Sequence, residues 1–170
     1  IYVLEGEYAS MLENRIYPMK KGDFLLIDQN VMHKYQYVEN RHDSSRRIIL
    51  WVTPGLLAQL GGKDMDLSAC FRGQESCAYH FPIYYEEMLQ GYLLKLAMTE
   101  SADPPLPGAR QVLDRGYLTL FFGYLNTLCS RREYLFNGDE LVSHPLVEQV
   151  ADYIEKHLTE SLSVELLAEQ

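Results

Sequence analysis

The sequence predicts an α+β chain in which a small antiparallel β-structure comes first and helices follow. Short apolar and β-branched runs, broken by Gly, Asp and Asn, fill the stretch from Ile1 to Val52. Apolar residues then recur at helical spacing between Ile83 and Arg132. After Asn137-Gly138-Asp139 the pattern changes again, and Ser143-His144-Pro145 opens a further helical run. The expected organisation is therefore a β-structure over 1–80, a helical region over 81–140 and a third segment over 141–170.

Each element has its own local signal. Ile1-Tyr2-Val3-Leu4 is a strand run that ends at Glu5-Gly6-Glu7. Met11, Ile16 and Tyr17 flank Glu13-Asn14-Arg15 as the two arms of a hairpin. Gly22-Asp23 is a turn, because glycine supplies the positive φ that a tight turn needs. Phe24 to Ile27 is short, continuously apolar and expected to be buried on both faces. Asp28-Gln29-Asn30 closes the next corner through side-chain hydrogen bonds, and a strand begins near His33. Tyr35, Tyr37 and Val38 alternate with Lys34 and Gln36, the pattern of a half-exposed strand. Asn40 to Ser45 is a polar loop, and Arg46 to Val52 is the strongest strand signal of all. Closely spaced short strands of this kind indicate a small antiparallel sandwich or barrel.

Thr53-Pro54 caps and opens a short helix that Gly61-Gly62 ends. Lys63 to Pro82 is irregular, with Met65, Leu67 and Phe71 as anchors. A helix follows from Ile83 to Thr99, with Tyr85, Met88, Leu89, Tyr92, Leu93 and Leu96 on one face. The Pro-rich stretch Asp103 to Gly108 breaks it. A second helix, Arg110 to Arg132, carries Leu113, Tyr117, Leu120, Phe121, Tyr124, Leu125 and Leu128. That apolar set is wider than one groove of a small barrel buries, which leaves two readings, a partner helix from a second subunit or an intramolecular hairpin. Val147, Val150, Ala151, Ile154 and Leu158 then keep helical spacing, and Ser163 caps a last helix.

Composition narrows the functional classes. With 170 residues and 47% apolar content, the chain is one domain, or one domain with a fragment of another. No run approaches the roughly 20 apolar residues of a membrane span, so no membrane partner is expected. A net charge of −9 does not suit a phosphate-binding surface, which needs clustered Lys and Arg. Three irregularly spaced cysteines make no disulfide framework, and a reducing cytoplasm is the expected location. Ile1 is not a natural start, so an upstream segment is expected to have been removed.

Two stretches carry a resemblance. Gly22, five residues, Asp28, Gln29, Asn30, two residues and His33 fill the frame Gly-x5-Pro-x-Gly-x2-His, and so resemble the second signature of the cupin barrel. Asp28 stands where that signature has Pro and Asn30 where it has Gly, though Asn tolerates the left-handed region almost as well. The closing segment is similar to the opening of an AraC/XylS-family DNA-binding domain: Tyr153-Ile154-x2-His157-Leu158, then Leu162-Ser163-x2-Leu166-x-Ala168. Together they give the order of that family, a cupin-like sensor barrel, a helical linker and dimerisation region, and the first helix of a helix-turn-helix domain. The resemblance implies a ligand-sensing, dimeric transcription regulator that binds a small-molecule effector, a sugar or related metabolite, and contacts DNA through a C-terminal domain. It also implies that recognition helices lie beyond Gln170 and the first barrel strands before Ile1. No catalytic role, metal or cofactor is expected; the alternative is a metal-dependent cupin enzyme, an isomerase or dioxygenase.

The candidate ligand-binding residues are His33, Trp51, Tyr35, Tyr37, Tyr17 and Arg15. Trp51 is the lone tryptophan and offers an aromatic face to an apolar sugar face, while the tyrosines and Arg15 offer hydrogen bonds in a mostly apolar cup. The competing reading packs Trp51 and the tyrosines in the core. His33 matches a metal ligand of metal-binding cupins, yet no His-x-His pair exists to complete such a cluster. Cys70, Cys77 and His80 do not have zinc spacing and read as buried cysteines beside an unrelated histidine. No Ser-His-Asp order, Gly-rich phosphate loop or paired carboxylate set stands out, and Glu86-Glu87 read as a solvated helix face.

Overall fold

The computed structural model describes residues 1–13, 15–29, 31–36, 45–72, 78–99, 108–140, 153–154 and 156–157. Asn30, Tyr37, Val38, the polar loop after them as far as Ser44, Cys77 and the breaker Pro104 to Pro107 lie outside these residues. So does most of the expected C-terminal helical segment. The chain divides into two compact units, Ile1–Asp139 and Glu140–Gln170.

The first unit opens with strands β1 (Tyr2–Glu5), β2 (Glu7–Leu12), β3 (Arg15–Lys20), β4 (Asp23–Leu25), β5 (His33–Gln36) and β6 (Arg46–Ile48). Helix α1 (Pro54–Gly61), a 3-10 turn at Ala69–Phe71 and β7 (Ala78–His80) follow. Helices α2 (Ile83–Thr99) and α3 (Ala109–Cys129) come next, then a 3-10 turn at Arg132–Tyr134, β8 (Leu135–Phe136) and β9 (Asp139–Glu140). The strands form a five-stranded sheet in the order β6-β1-β4-β7-β8 and a four-stranded sheet in the order β5-β2-β3-β9. The registered pairs are antiparallel, as in Tyr2 opposite Phe24 and Tyr8 opposite Met19.

Side-chain alternation explains the layering. In the five-stranded sheet Tyr2, Phe24 and Tyr79 point to one face, and Val3, Leu25 and Ala78 to the other. The second set meets Tyr8, Leu12, Tyr17 and Met19 of the other sheet, so this cluster lies between the sheets. The first set packs under the helices, against Leu57 of α1, Leu89 and Leu93 of α2, and Phe121, Phe122 and Leu125 of α3. The five-stranded sheet is thus covered on both faces, which accounts for the uninterrupted burial of Asp23, Phe24 and Leu25.

Several expectations are corrected. The β-structure is two packed sheets and not a closed barrel: β6 ends one sheet, β5 ends the other, and no ladder joins these edges among the described residues. The strand expected over Arg46 to Val52 stops at Ile48, because the chain from Ile49 to Val52 leaves the ladder and turns into α1. Strands β7 and β8, of three and two residues, fall in stretches with no strand signal. Met65 is exposed, whereas Leu67 is a buried anchor. Glu86 is buried, because the Tyr2 hydroxyl from β1 donates to its Oε1 at 2.9 Å.

The helices match their signals more closely. Thr53 accepts the Leu56 N–H at 3.2 Å and Pro54 occupies the first turn of α1. Leu89 and Leu93 of α2 are buried, and Tyr85, Met88, Tyr92 and Leu96 pack partly against the same core. In α3 the buried face differs from expectation. It runs through Leu118, Phe121, Phe122, Leu125, Leu128 and Cys129, while Leu113, Leu120 and Tyr124 face solvent. Asn126 fixes this rotation: its amide donates to the Leu67 and Phe122 carbonyls at 2.9 and 2.7 Å, and its Oδ1 accepts the Cys70 N–H at 2.7 Å.

In the second unit Tyr153, Ile154 and Lys156 are helical. The His157 ring stacks on that of Tyr153, with centroids 4.1 Å apart, and its Nδ1 donates to the Tyr153 carbonyl at 2.8 Å.

Candidate functional site

A cavity of about 570 Å³ draws its lining from both layers of the first unit. From between the sheets come Tyr8 and Ser10 of β2, Leu25 of β4 and Arg47 of β6. From the helix side come Phe24 and Tyr2 with Phe121, Phe122 and Leu125 of α3. The segments that leave β4 and β6, Leu26 to Gln29 and Ile49 to Val52, complete the wall with His33 and Lys34. The size suits a small organic molecule.

Strand register sets the polar groups. Arg47 is paired with Val3, and Val3 is fully buried between the sheets, so Arg47 projects to the same side. Its guanidinium carbon lies 4.4 Å from the centroid of the Tyr8 ring, a cation–π contact between two residues of the lining. Ser10, two residues along the same strand, is buried beside it. Asp28 is a carboxylate of the lining, and its Oδ1 accepts the Gln29 N–H at 2.8 Å.

The sequence candidates separate into groups. His33 and Trp51 both line the cavity. His33 is exposed and donates through Nδ1 to the Val31 carbonyl at 2.9 Å, which in the neutral ring leaves Nε2 as the acceptor. Trp51 is 81% exposed, so it stands at the rim and does not fill the core. Tyr17 is buried elsewhere, edge-on to Phe136 with centroids 6.4 Å apart, and does not line the cavity. Arg15 sits in the β2–β3 hairpin opposite Leu12, also away from it. Tyr35 is paired with Ser10 in the β2–β5 ladder, and Tyr37 lies outside the described residues.

Arg47, Tyr8 and Ser10 were not singled out by sequence. The inward direction of Arg47 follows from its pairing with Val3, which is long-range and leaves no local trace. Among the described residues, no three His, Cys, Asp or Glu side chains group closely enough to hold a metal ion. Cys70 and Cys129 are buried free thiols; burial pushes both upward, Cys129 to about 12. His80 belongs to another setting, donating from Nδ1 to the buried carboxylate of Asp23 at 2.6 Å. No helix among the described residues is long and apolar enough to cross a membrane.

No curated protein and no solved structure matches the chain. Residues 1–62 match the family model of the AraC-like ligand binding domain, and this similarity supports reading that part of the chain as an AraC-family sensor domain.

Proposed function

We propose that the chain is the ligand-sensing and dimerisation region of an AraC-family transcriptional regulator, with a small-molecule effector held in the cavity. The observation that carries this is the 570 Å³ cavity itself, which the family-matched segment shares with α3. An effector that contacts both strands and α3 biases the seating of the helix, provided that it binds one arrangement more tightly than the other. The exposed apolar side chains Leu113 and Leu120 of α3 and Leu94 of α2 support dimerisation through these helices. DNA is contacted through a helix-turn-helix domain that residues 141–170 open, and the chain's own charge of −9 suits a sensor and not a reader.

The test is a thermal-shift screen of the 170-residue chain against sugars, sugar phosphates and other small metabolites. Stabilisation grows with ligand concentration over Kd, so millimolar ligand reports even weak binding. A hit lost on Trp51→Ala or His33→Ala supports the sensor reading and places the ligand at the cavity. No stabilisation across the screen overturns effector sensing by this region. Sedimentation at micromolar concentration tests the dimer, and a monomer there removes that part of the reading.

A further inference from the structure

We infer that residues 135–139 form a strap through which the cavity acts on the chain's exit from the first unit, with Tyr17 as the relay between them. This deepens the sensor reading and rests on it. The strap crosses from layer to layer. Leu135 packs partly against the core under the helices, Phe136 packs against the cluster between the sheets, and Gly138 is buried. Strand β8 pairs with β7 in the five-stranded sheet, whereas β9 is the neighbour of β3 in the four-stranded one. The strap thus ties the sheets together just before the chain leaves the first unit, which ends at Asp139.

Its contact with β3 is close. A Cβ built on Gly138 would stand 2.7 Å from the Ile16 carbonyl oxygen and 3.0 Å from Tyr17 Cδ2. Gly138 has no positive φ, so it supplies room and not a turn: the backbone of β3 leaves no space for a methyl group. The Tyr17 ring also meets Phe136 edge-on, with centroids 6.4 Å apart. One buried side chain therefore lies against both Phe136 and Gly138.

Register carries Tyr17 to the cavity. It is paired with Ser10 in the β2–β3 ladder, so the two side chains stand on one face, and Ser10 is a lining residue. Side chains opposed in this way lie about 4.5–5.5 Å apart at Cβ. A group that fills the cavity beside Ser10 presses on Tyr17, and Tyr17 presses on the strap. The strap is the element able to yield, because β8 and β9 have two residues each whereas β2 and β3 have six. It also follows α3 in the chain, so a reseated helix acts on the same element.

Amide exchange in the 170-residue chain tests this, with Phe136 in the strap read against Leu89 in the core. Gly138→Ala should speed exchange at Phe136 by about tenfold or more and leave Leu89 within about twofold, which marks an opening short of unfolding. Ser10→Val and Ser10→Leu add bulk at the cavity wall and should speed Phe136 by about threefold or more. On a Tyr17→Leu background the Ser10 effect should shrink to within about 1.5-fold. Tyr17→Met takes the place of Tyr17→Leu if Leu89 loses its protection there. Phe136 and Leu89 accelerating together in Gly138→Ala overturns the strap. So does a Ser10 effect undiminished without Tyr17, or exchange at Phe136 that neither Ser10 variant alters. Any sugar or sugar phosphate that raises the melting midpoint in the screen should also shift Phe136 exchange by about threefold or more. Stabilisation without that shift overturns the strap and leaves the sensor reading intact. A blank screen removes the sensor reading and the strap's part in it together.

Discussion

The hydroxyl of Tyr2 donates to Glu86 Oε1 at 2.9 Å, joining the first strand of the sheet to the second helix through a buried phenol and a buried carboxylate. A bond to a charged acceptor that water cannot replace contributes more than an exposed one. Tyr2→Phe should therefore lower stability by about 1.5–3 kcal/mol, read from the shift of the urea midpoint at constant m-value. Combining it with Glu86→Gln in a double-mutant cycle should give a coupling of about 1 kcal/mol or more. Simple additivity would show that the contact is not a stabilising one.

The same carboxylate lies against Gly22. A Cβ built on Gly22 would stand 2.8 Å from Glu86 Oε2, and the glycine has φ +91°, a conformation L residues rarely adopt. Gly22→Ala thus combines backbone strain with a clash, for an expected loss of about 2–4 kcal/mol. Placed on a Glu86→Ala background, the substitution should cost less, because the clash is gone and only the strain persists. Equal cost on both backgrounds would mean that the carboxylate already yields.

Asn126 gives the largest single-residue prediction within the helices. Two of its three hydrogen bonds tie α3 to the Leu67–Cys70 segment inside the core, and the third goes to the Phe122 carbonyl of α3 itself. Asn126→Leu leaves the Cys70 N–H and the Leu67 carbonyl buried without that partner, and should cost about 3 kcal/mol. Amide exchange at Cys70 offers a local readout, and protection there should fall more than at Leu89.

Alkaline pH should destabilise the fold in a defined direction. Burial holds the Cys70 and Cys129 thiols above their ordinary value of 9.0, Cys129 at about 12. Burial, followed by the Glu86 hydrogen bond and charge, raises Tyr2 above its ordinary 10.0. In each case the folded chain keeps a proton that the unfolded chain releases. The stabilisation is complete below pH 9 and declines as pH rises toward the folded-state values, by about 1.4 kcal/mol per pH unit for each group involved. Cys129→Ala should make the decline between pH 9 and 11 shallower, whatever it does to stability at pH 7.

Local signals reached the helices but only part of the sheets. The α2 stripe from Tyr85 to Leu96 and the Thr53-Pro54 start of α1 are written in adjacent residues, and both elements form where those residues place them. Ala78-Tyr79-His80 is too short to show a period, and it is a strand only because Phe24 and Phe136 flank it from far along the chain. Arg46 to Val52 looks like the best strand by composition, yet its second half, from Ile49, leaves the ladder and walls a cavity. The site divides in the same way. His33 and Trp51 stood out as rare residue types in telling places, whereas Arg47 resembled any exposed arginine until Val3 was found opposite it.

Helix α3 is at once a wall of the cavity, through Phe121, Phe122 and Leu125, and an outward surface, through Leu113, Leu120 and Tyr124. Substitutions on its inner side therefore reshape the cavity and reseat the outward surface together. Substitutions on β6 reshape the cavity alone. A chain of this design can acquire new tastes on that strand without changing its voice, but not on its helix.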